Sequence, residues 1–190
     1  MLIILTGKTA SGKDTIKQRI LHKFPDVKRV ITTTSRAPRE GEQQDIDYHF
    51  ISREGFQKKI DAGDFIEYVE YGGNLYGTTK IELDKTLDEN LLWKIDPSRA
   101  GEIRDFIRRS FPSDQASRLV KNILVIYITT SDEVILERLR RRNLSSNEIE
   151  KRMMDDLKIW HKYQRNYDYV IENVPGKLDE TVDKIFHIIL

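Results

Sequence analysis

The segment Leu2-Ile3-Ile4-Leu5-Thr6-Gly7-Lys8-Thr9-Ala10-Ser11-Gly12-Lys13-Asp14-Thr15 decides the fold. An apolar run leads into a glycine loop with the spacing G-x-x-x-x-G-K, and a helical pattern begins near Asp14. The glycines allow backbone N–H groups to turn inward around an anion, and the following helix presents its positive N-terminal end. The segment therefore predicts a strand, a polyphosphate-binding loop and a helix, with residues 7 and 9–15 around the phosphates.

The position after the loop lysine departs from the usual form of this motif. A Ser or Thr hydroxyl normally follows the lysine and contacts Mg²⁺, whereas this chain has Asp14 followed by Thr15. We therefore expect the Asp14 carboxylate to be the metal-side group, directly or through water.

The composition narrows the class of protein. A chain of 190 residues favours one domain. Its 32 basic and 31 acidic side chains give a net charge of +1, so no overall field favours nucleic acid or a membrane surface. The chain lacks cysteine, which agrees with a cytoplasmic location, and the sequence shows neither a signal peptide nor a membrane span. The four histidines are too far apart to form a metal motif.

Apolar runs that alternate with helical patterns predict an α/β fold with a five-stranded parallel sheet covered on both faces. The predicted core strands are residues 2–5, 27–32, 91–95, 123–128 and 169–171, and the helices begin near residues 14, 81, 97, 131, 146 and 178. Residues 111–121 read as a polar connection. Residues 33–79 have a different texture and predict an insertion with a helix at 53–62 and strands at 48–51, 65–71 and 74–76.

Four further motifs occur in order within the insertion, and they are Thr33 to Glu42, Asp47-Tyr48-His49-Phe50, Phe65-Ile66-Glu67-Tyr68 and Tyr76-Gly77-Thr78-Thr79. Together with the phosphate loop they closely resemble the guanylate kinases over nearly the whole chain. The resemblance implies ATP-dependent phosphorylation of GMP or dGMP with Mg²⁺, in a monomer or homodimer. It also implies a single P-loop NTPase three-layer domain with core 1–32 and 80–190, a GMP-binding insertion 33–79 and a mobile helical lid at about 138–152.

The resemblance assigns the acceptor site residue by residue. Arg36, Arg39, Tyr48 and Tyr76 are expected to hold the GMP phosphate, as suits two guanidinium groups and two phenol donors. Glu67 is expected to accept from guanine N1–H and the 2-amino group, while Thr32, Thr78 and Asp96 complete the contacts with the base.

The resemblance also assigns the donor site. Lys13 and the lid arginines Arg138, Arg142 and Arg152 are expected to neutralise the transferring phosphoryl group. The ATP-binding set comprises Gly7, Thr9, Ala10, Ser11, Gly12, Lys13, Asp14, Thr15 and Asn173, with Asn173 near the adenine.

Lys94 occupies a position where guanylate kinases usually have an aspartate on the magnesium side. We expect Lys94 to pair with Asp14 or with a phosphate oxygen as a compensating change; alternatively, the pair disables normal metal binding. Two other functions remain open from the sequence. Ribose bisphosphate phosphokinases also carry Asp after the loop lysine but lack the guanine-reading residues, and non-catalytic guanylate-kinase-like modules typically lose the phosphate loop that Gly12 and Lys13 retain here.

Overall fold

A computed structural model of the chain describes residues 1–189. Its strands are β1 (Leu2–Gly7), β2 (Val27–Arg29), β3 (Thr33–Thr34), β4 (His49–Phe50), β5 (Phe65–Tyr71), β6 (Asn74–Thr79), β7 (Asn90–Lys94), β8 (Ile123–Thr129) and β9 (Tyr169–Glu172). Its helices are α1 (Lys13–Lys23), α2 (Arg53–Asp61), α3 (Lys80–Asp84), α4 (Pro97–Ser110), α5 (Ser113–Lys121), α6 (Asp132–Arg140), α7 (Ser146–Tyr163) and α8 (Leu178–Ile189).

The core sheet has five parallel strands in the order β2-β7-β1-β8-β9, which confirms the predicted sheet. Strand β1 lies at its centre with all six residues buried. Leu2 and Ile4 pack beneath α4, α5 and α7, whereas Ile3 and Leu5 pack beneath α1 and α8. Because both faces of the strand meet apolar side chains, its sequence is continuously apolar and does not alternate with polar residues.

Three elements, β2, α5 and α7, differ from the sequence prediction. Strand β2 ends at Arg29, short of residue 32, because the Ile31 N–H leaves the sheet and donates to Glu82 Oε1 at 3.0 Å. The predicted polar connection contains α5, whose Ala116 and Leu119 are buried against the core.

The long helix α7 begins at Ser146, and Ser145 is its N-cap. The side chains of Ser145 and Glu148 form a capping box there. The helical pattern that begins at Ser146 predicts a helix towards Tyr167, but α7 ends at Tyr163 and residues 164–166 form a 3-10 turn. The closing helix is confirmed through residue 189, and Leu190 lies outside the described residues. No helix within residues 1–189 is both long and apolar enough to span a lipid bilayer.

Residues 33–79 carry a second sheet of four strands in the order β4-β3-β6-β5, with α2 packed on it. Strands β5 and β6 form an antiparallel hairpin in which Glu67 is opposite Thr78. The strands and the helix predicted in this segment are thus confirmed, and the hairpin register fixes which side chains lie side by side.

Glu82 connects the core with this second sheet. Its side chain is only 4% exposed, and it accepts from the Ile31 N–H and from Lys85 Nζ at 2.5 Å. His49 Nε2 of β4 lies 3.6 Å from the same carboxylate. A buried carboxylate requires such donors, so both chain segments that join core and insertion are fastened at one point.

Candidate active site

The phosphate loop leaves β1 at the carboxyl edge of the core sheet, where ligands collect in open α/β sheets. Gly7 has a φ of +139°, and a Cβ there would lie 1.9 Å from the carbonyl oxygen of Ile128. Gly12, with a φ of +93°, precedes the first turn of α1, and a Cβ would lie 2.5 Å from Asn173 Nδ2. Both glycines are therefore required by contact and by conformation.

Lys13 folds over the loop from the start of α1. Its Nζ donates to the carbonyl oxygen of Gly7 at 2.8 Å and to that of Lys8, and it lies 3.3 Å from Ser11 Oγ. Burial lowers the pKa of Lys13 to about 8, although the nearby Asp156 carboxylate opposes that change. The ammonium group is thus held at the mouth of the loop, as the sequence predicts for a group that contacts phosphate oxygens.

Asn173 supports the loop from behind. Its Nδ2 donates to the carbonyl oxygen of Ser11 at 2.8 Å, and its Oδ1 accepts from Thr181 Oγ1 at 3.4 Å. The side chain is buried, so the structure places it against the phosphate loop with both ends of its amide group engaged. Its expected position near adenine stays a prediction.

The three arginines of the predicted lid occupy different environments. Arg138 Nη1 donates to the carbonyl oxygen of Ala10 at 2.8 Å, so this arginine contacts the loop directly. Arg142 is exposed in the turn after α6. Arg152 is exposed on α7 and lines, with Thr9, a cleft of about 410 Å³ beside the loop.

Asp14 and Lys94 form the contact that the sequence predicts. Lys94 Nζ donates to Asp14 Oδ1 at 2.5 Å, across 80 residues of chain. Burial alone would raise the pKa of Asp14, but the hydrogen bond and charge of Lys94 together with Lys17 lower it. Thr15 is exposed beside this pair. Lys94 and Lys13 both line a second cleft beside the loop, of about 320 Å³.

We expect the Asp14–Lys94 pair to be functionally coupled, because each side chain neutralises the other at the phosphate end of the cleft. Asp14→Ser and Lys94→Asp are each expected to lower activity. The double variant should exceed the worse single by about tenfold, which is the size of coupling that contacting charges show. The measurement is kcat/KM at varied Mg²⁺ for all four proteins. Additive effects would show that the two side chains are not coupled.

The insertion contains a second group of side chains that suits an anion, apart from the phosphate loop. Arg36 Nη2 donates to both Glu42 oxygens at 2.9 Å, and the Arg39 N–H donates to Glu42 Oε2 at 2.7 Å. The Arg36 guanidinium lies over the Tyr48 ring, and the Tyr48 and Tyr76 rings lie 6.2 Å apart. The four residues expected to hold the GMP phosphate are therefore near one another, except that Arg39 directs its exposed side chain to solvent.

Glu67 and Thr78 lie side by side on the β5–β6 hairpin. Burial raises the pKa of Glu67, and the nearby Thr78 and Arg99 offset part of that rise. Thr78 Oγ1 is buried and has no hydrogen-bond partner in the part of the chain that the structure describes. A shielded carboxylate beside an orphaned hydroxyl suits a partner with several N–H donors.

Asp96 and Thr32 are the other two residues expected to contact the base, and both lie outside the second sheet. Asp96 is exposed at the end of β7 and caps α4, since its Oδ1 accepts from the Ser98 N–H at 2.8 Å. Its charge adds to the rise in the pKa of Glu67, so the two carboxylates lie close enough to interact. Thr32 is half-buried where the chain enters β3.

Sequence reasoning missed two residues of the site. Glu42 lies in the first insertion motif. A carboxylate three residues after Arg39 is a sequence signal for an ion-pair partner of the arginines within the same loop. Asp156 contacts the Thr9 N–H at 2.7 Å. It lies 147 residues away on a polar helix face, and nothing in the local sequence marks it.

Comparison with known proteins agrees with this geometry. The sequence profile of the guanylate kinase family matches residues 1–190. A guanylate kinase from Fusobacterium nucleatum is 32% identical over 99% of this chain and 95% of its own length. The crystal structure of guanylate kinase from Anaplasma phagocytophilum has 26% identity and a TM-score of 0.64, covering all of this chain and 83% of that one.

A more distant structure bears on the fold alone. Shikimate kinase from Acinetobacter baumannii, solved in complex with shikimate, has 16% identity and a TM-score of 0.52 over 99% of this chain and 92% of its own. The likeness confirms the P-loop kinase fold of the core. Because the family profile matches the whole chain and the chain carries the phosphate loop, the protein belongs to the guanylate kinase family and is a nucleoside monophosphate kinase.

Proposed function

We propose that the residues described above carry out the ATP-dependent phosphorylation of GMP in the roles that the sequence assigned to them, and that dGMP is also an acceptor. The observation that carries this proposal is the Arg36 guanidinium, whose Nη2 contacts both oxygens of Glu42 at 2.9 Å. A carboxylate held in this way is chemically similar to two oxygens of a phosphate. The acceptor phosphate would take the place that Glu42 occupies beside Arg36, Tyr48 and Tyr76.

The reaction moves one phosphoryl group between two anions. A GMP phosphate oxygen attacks the γ-phosphorus of ATP, the bond from that phosphorus to the β–γ bridging oxygen breaks, and GDP and ADP result. The attacking oxygen already carries negative charge, so no general base is needed. The protein acts by positioning and by neutralising charge, the roles proposed for Lys13, Arg138, Arg142 and Arg152.

The side chains present at the loop are compatible with Mg²⁺. Within residues 1–189 no group of three or more His, Asp or Glu side chains is arranged to hold a metal ion. Mg²⁺ commonly binds through only one or two carboxylates together with substrate phosphates and water. The Asp14 carboxylate, directly after Lys13, is exposed and can supply such a ligand. We propose that Asp14 contacts the ion, which when bound withdraws charge from the phosphates.

A panel of phosphate acceptors with ATP tests this function against the alternatives. GMP and dGMP are expected to be converted to diphosphates, whereas ribose 1,5-bisphosphate is not. The measurement is ADP release together with chromatographic identification of the product. Turnover of ribose 1,5-bisphosphate, or binding of GMP without any ADP release, would favour the phosphokinase or the non-catalytic module respectively.

The segment from Arg138 to Arg152 is expected to close over the two substrates. Arg142 and Arg152 are exposed, so their guanidinium groups can move inward onto phosphates when the segment closes. Hydrogen exchange should show stronger amide protection of residues 138–152 with ADP and GMP together than with either alone. Residues 53–61 of α2 serve as an internal reference. Exchange that is equal in all four states would exclude a closing lid.

A further inference from the structure

The carboxylate of Asp156 accepts a hydrogen bond from one of the backbone N–H groups of the phosphate loop. The Thr9 N–H, within the loop, donates to Asp156 Oδ2 at 2.7 Å. Asp156 is half-buried on α7. It lines both clefts beside the loop, the one that contains Lys13 and the one that contains Arg152. The contact thus lies inside the region proposed to hold the donor phosphates.

Inward-facing N–H groups are the means by which such a loop binds polyphosphate. A carboxylate oxygen and a phosphate oxygen are both anionic acceptors, and they compete for the same N–H group. A carboxylate that remained beside a triphosphate would also repel it, because like charges at close range are unfavourable where water is partly excluded. ATP therefore has to displace Asp156 in order to use the Thr9 N–H.

The displaced carboxylate lies next to a candidate catalytic group. Arg152 precedes Asp156 by four residues on α7, so the two side chains lie on one face of the helix, one turn apart. Both line the cleft of about 410 Å³. Displacement of Asp156 from Thr9 therefore also removes a negative charge from the surroundings of Thr9 on the side of the cleft that Arg152 lines.

We propose that Asp156 is an internal substitute for a donor phosphate oxygen, which ATP displaces on binding. This inference rests on the proposed assignment of the loop as the ATP site. It gives Asp156 two effects: it weakens donor binding in the free enzyme, and it returns to Thr9 as the product ADP leaves.

The test measures binding of inorganic tripolyphosphate and of ATP by calorimetry, without divalent cations, so that no metal ion links carboxylate and phosphate. Asp156→Ala is expected to bind tripolyphosphate about tenfold more tightly than the parent, the loss of one competing charge-assisted hydrogen bond. Asp156→Asn, which keeps an acceptor oxygen but not the charge, should show an intermediate gain. GMP affinity should not change.

Asp155→Asn is the matched control. It removes the same charge from the adjacent, exposed residue of α7, and tripolyphosphate affinity should stay within about twofold of the parent, as for an exposed charge. A second readout does not require any ligand to bind: the Thr9 amide should exchange faster in Asp156→Ala than in the parent or in Asp155→Asn. Thermal unfolding confirms that each variant is folded.

Equal or weaker tripolyphosphate binding in folded Asp156→Ala overturns the inference, and weaker binding would place Asp156 among the groups that hold the donor. Failure of the proposed function gives a different result. In that case tripolyphosphate binding tightens as expected, while neither the parent nor the variants convert GMP.

Discussion

Replacement of Lys13 by alanine is expected to lower the rate of phosphoryl transfer by about 10³-fold while leaving GMP affinity nearly unchanged. The ammonium group lies over the mouth of the phosphate loop, where it is bonded to the carbonyl oxygen of Gly7. Phosphoryl transfer depends on neutralising charge at the transferring group, so loss of this one cation removes stabilisation that the transition state needs. The residues proposed to hold the acceptor phosphate lie in the insertion, which has its own sheet, and they include Arg36.

Two measurements check this prediction, single-turnover transfer with saturating ATP and calorimetric titration with GMP. Lys17→Ala is the control, since Lys17 lies one turn further along α1 and is also partly buried. If Lys17→Ala slows transfer as much as Lys13→Ala does, general loss of positive charge explains the effect and the specific role of Lys13 is wrong. A large loss of GMP affinity in folded Lys13→Ala would mean that the two sites are wrongly assigned.

Discrimination between GMP and AMP is expected to reach about 10⁴-fold in kcat/KM, the range seen when buried polar groups of a site are left unpaired. Glu67 can accept from guanine N1–H and the 2-amino group, whereas AMP presents an acceptor at N1 and lacks the 2-amino group. IMP retains N1–H but lacks the 2-amino donor, so it should be poorer than GMP by about 10- to 100-fold.

Glu67→Gln tests which group reads the base. The amide presents N–H donors where guanine also presents donors, so GMP activity should fall, while AMP should gain relative to GMP. Glu70→Gln on the same strand is the control, because Glu70 is exposed and pairs with Arg53 at 2.9 Å away from the base site. Equal turnover of AMP and GMP by the parent enzyme would refute the guanine assignment.

The buried strands could be predicted from sequence because their composition has a single physical cause. Leu2 to Leu5 meet apolar layers on both faces, and only a covered parallel sheet requires four such residues in succession. Helix α5 was not predicted because the segment is short and mostly polar, and only Ala116 and Leu119 of it are buried. Strand β2 was predicted too long because its end depends on Glu82, more than 50 residues away.

The same distinction applies to the active site. Asp14 and Lys94 were predicted to meet because both depart from the pattern of one family, and the structure confirms the contact. No departure from a family pattern indicated the contact between Asp156 and Thr9. It depends on how α7 crosses the loop, and the close approach of α7 to α4 at Gly101, where a Cβ would lie 2.5 Å from Tyr163, sets that crossing. Tertiary packing of this kind leaves little trace in local sequence.

Glu82 also determines how the insertion can move. The chain enters the insertion next to Ile31 and leaves it at α3, and the Glu82 carboxylate fastens these two passages to each other. Two independent connections would allow the smaller sheet to slide, twist and tilt over the core. Because they are joined at one buried point, we expect sliding of the smaller sheet over the core to be opposed, whereas rotation about that point remains possible. An acceptor nucleotide held by the insertion would then approach the phosphate loop along an arc centred on Glu82.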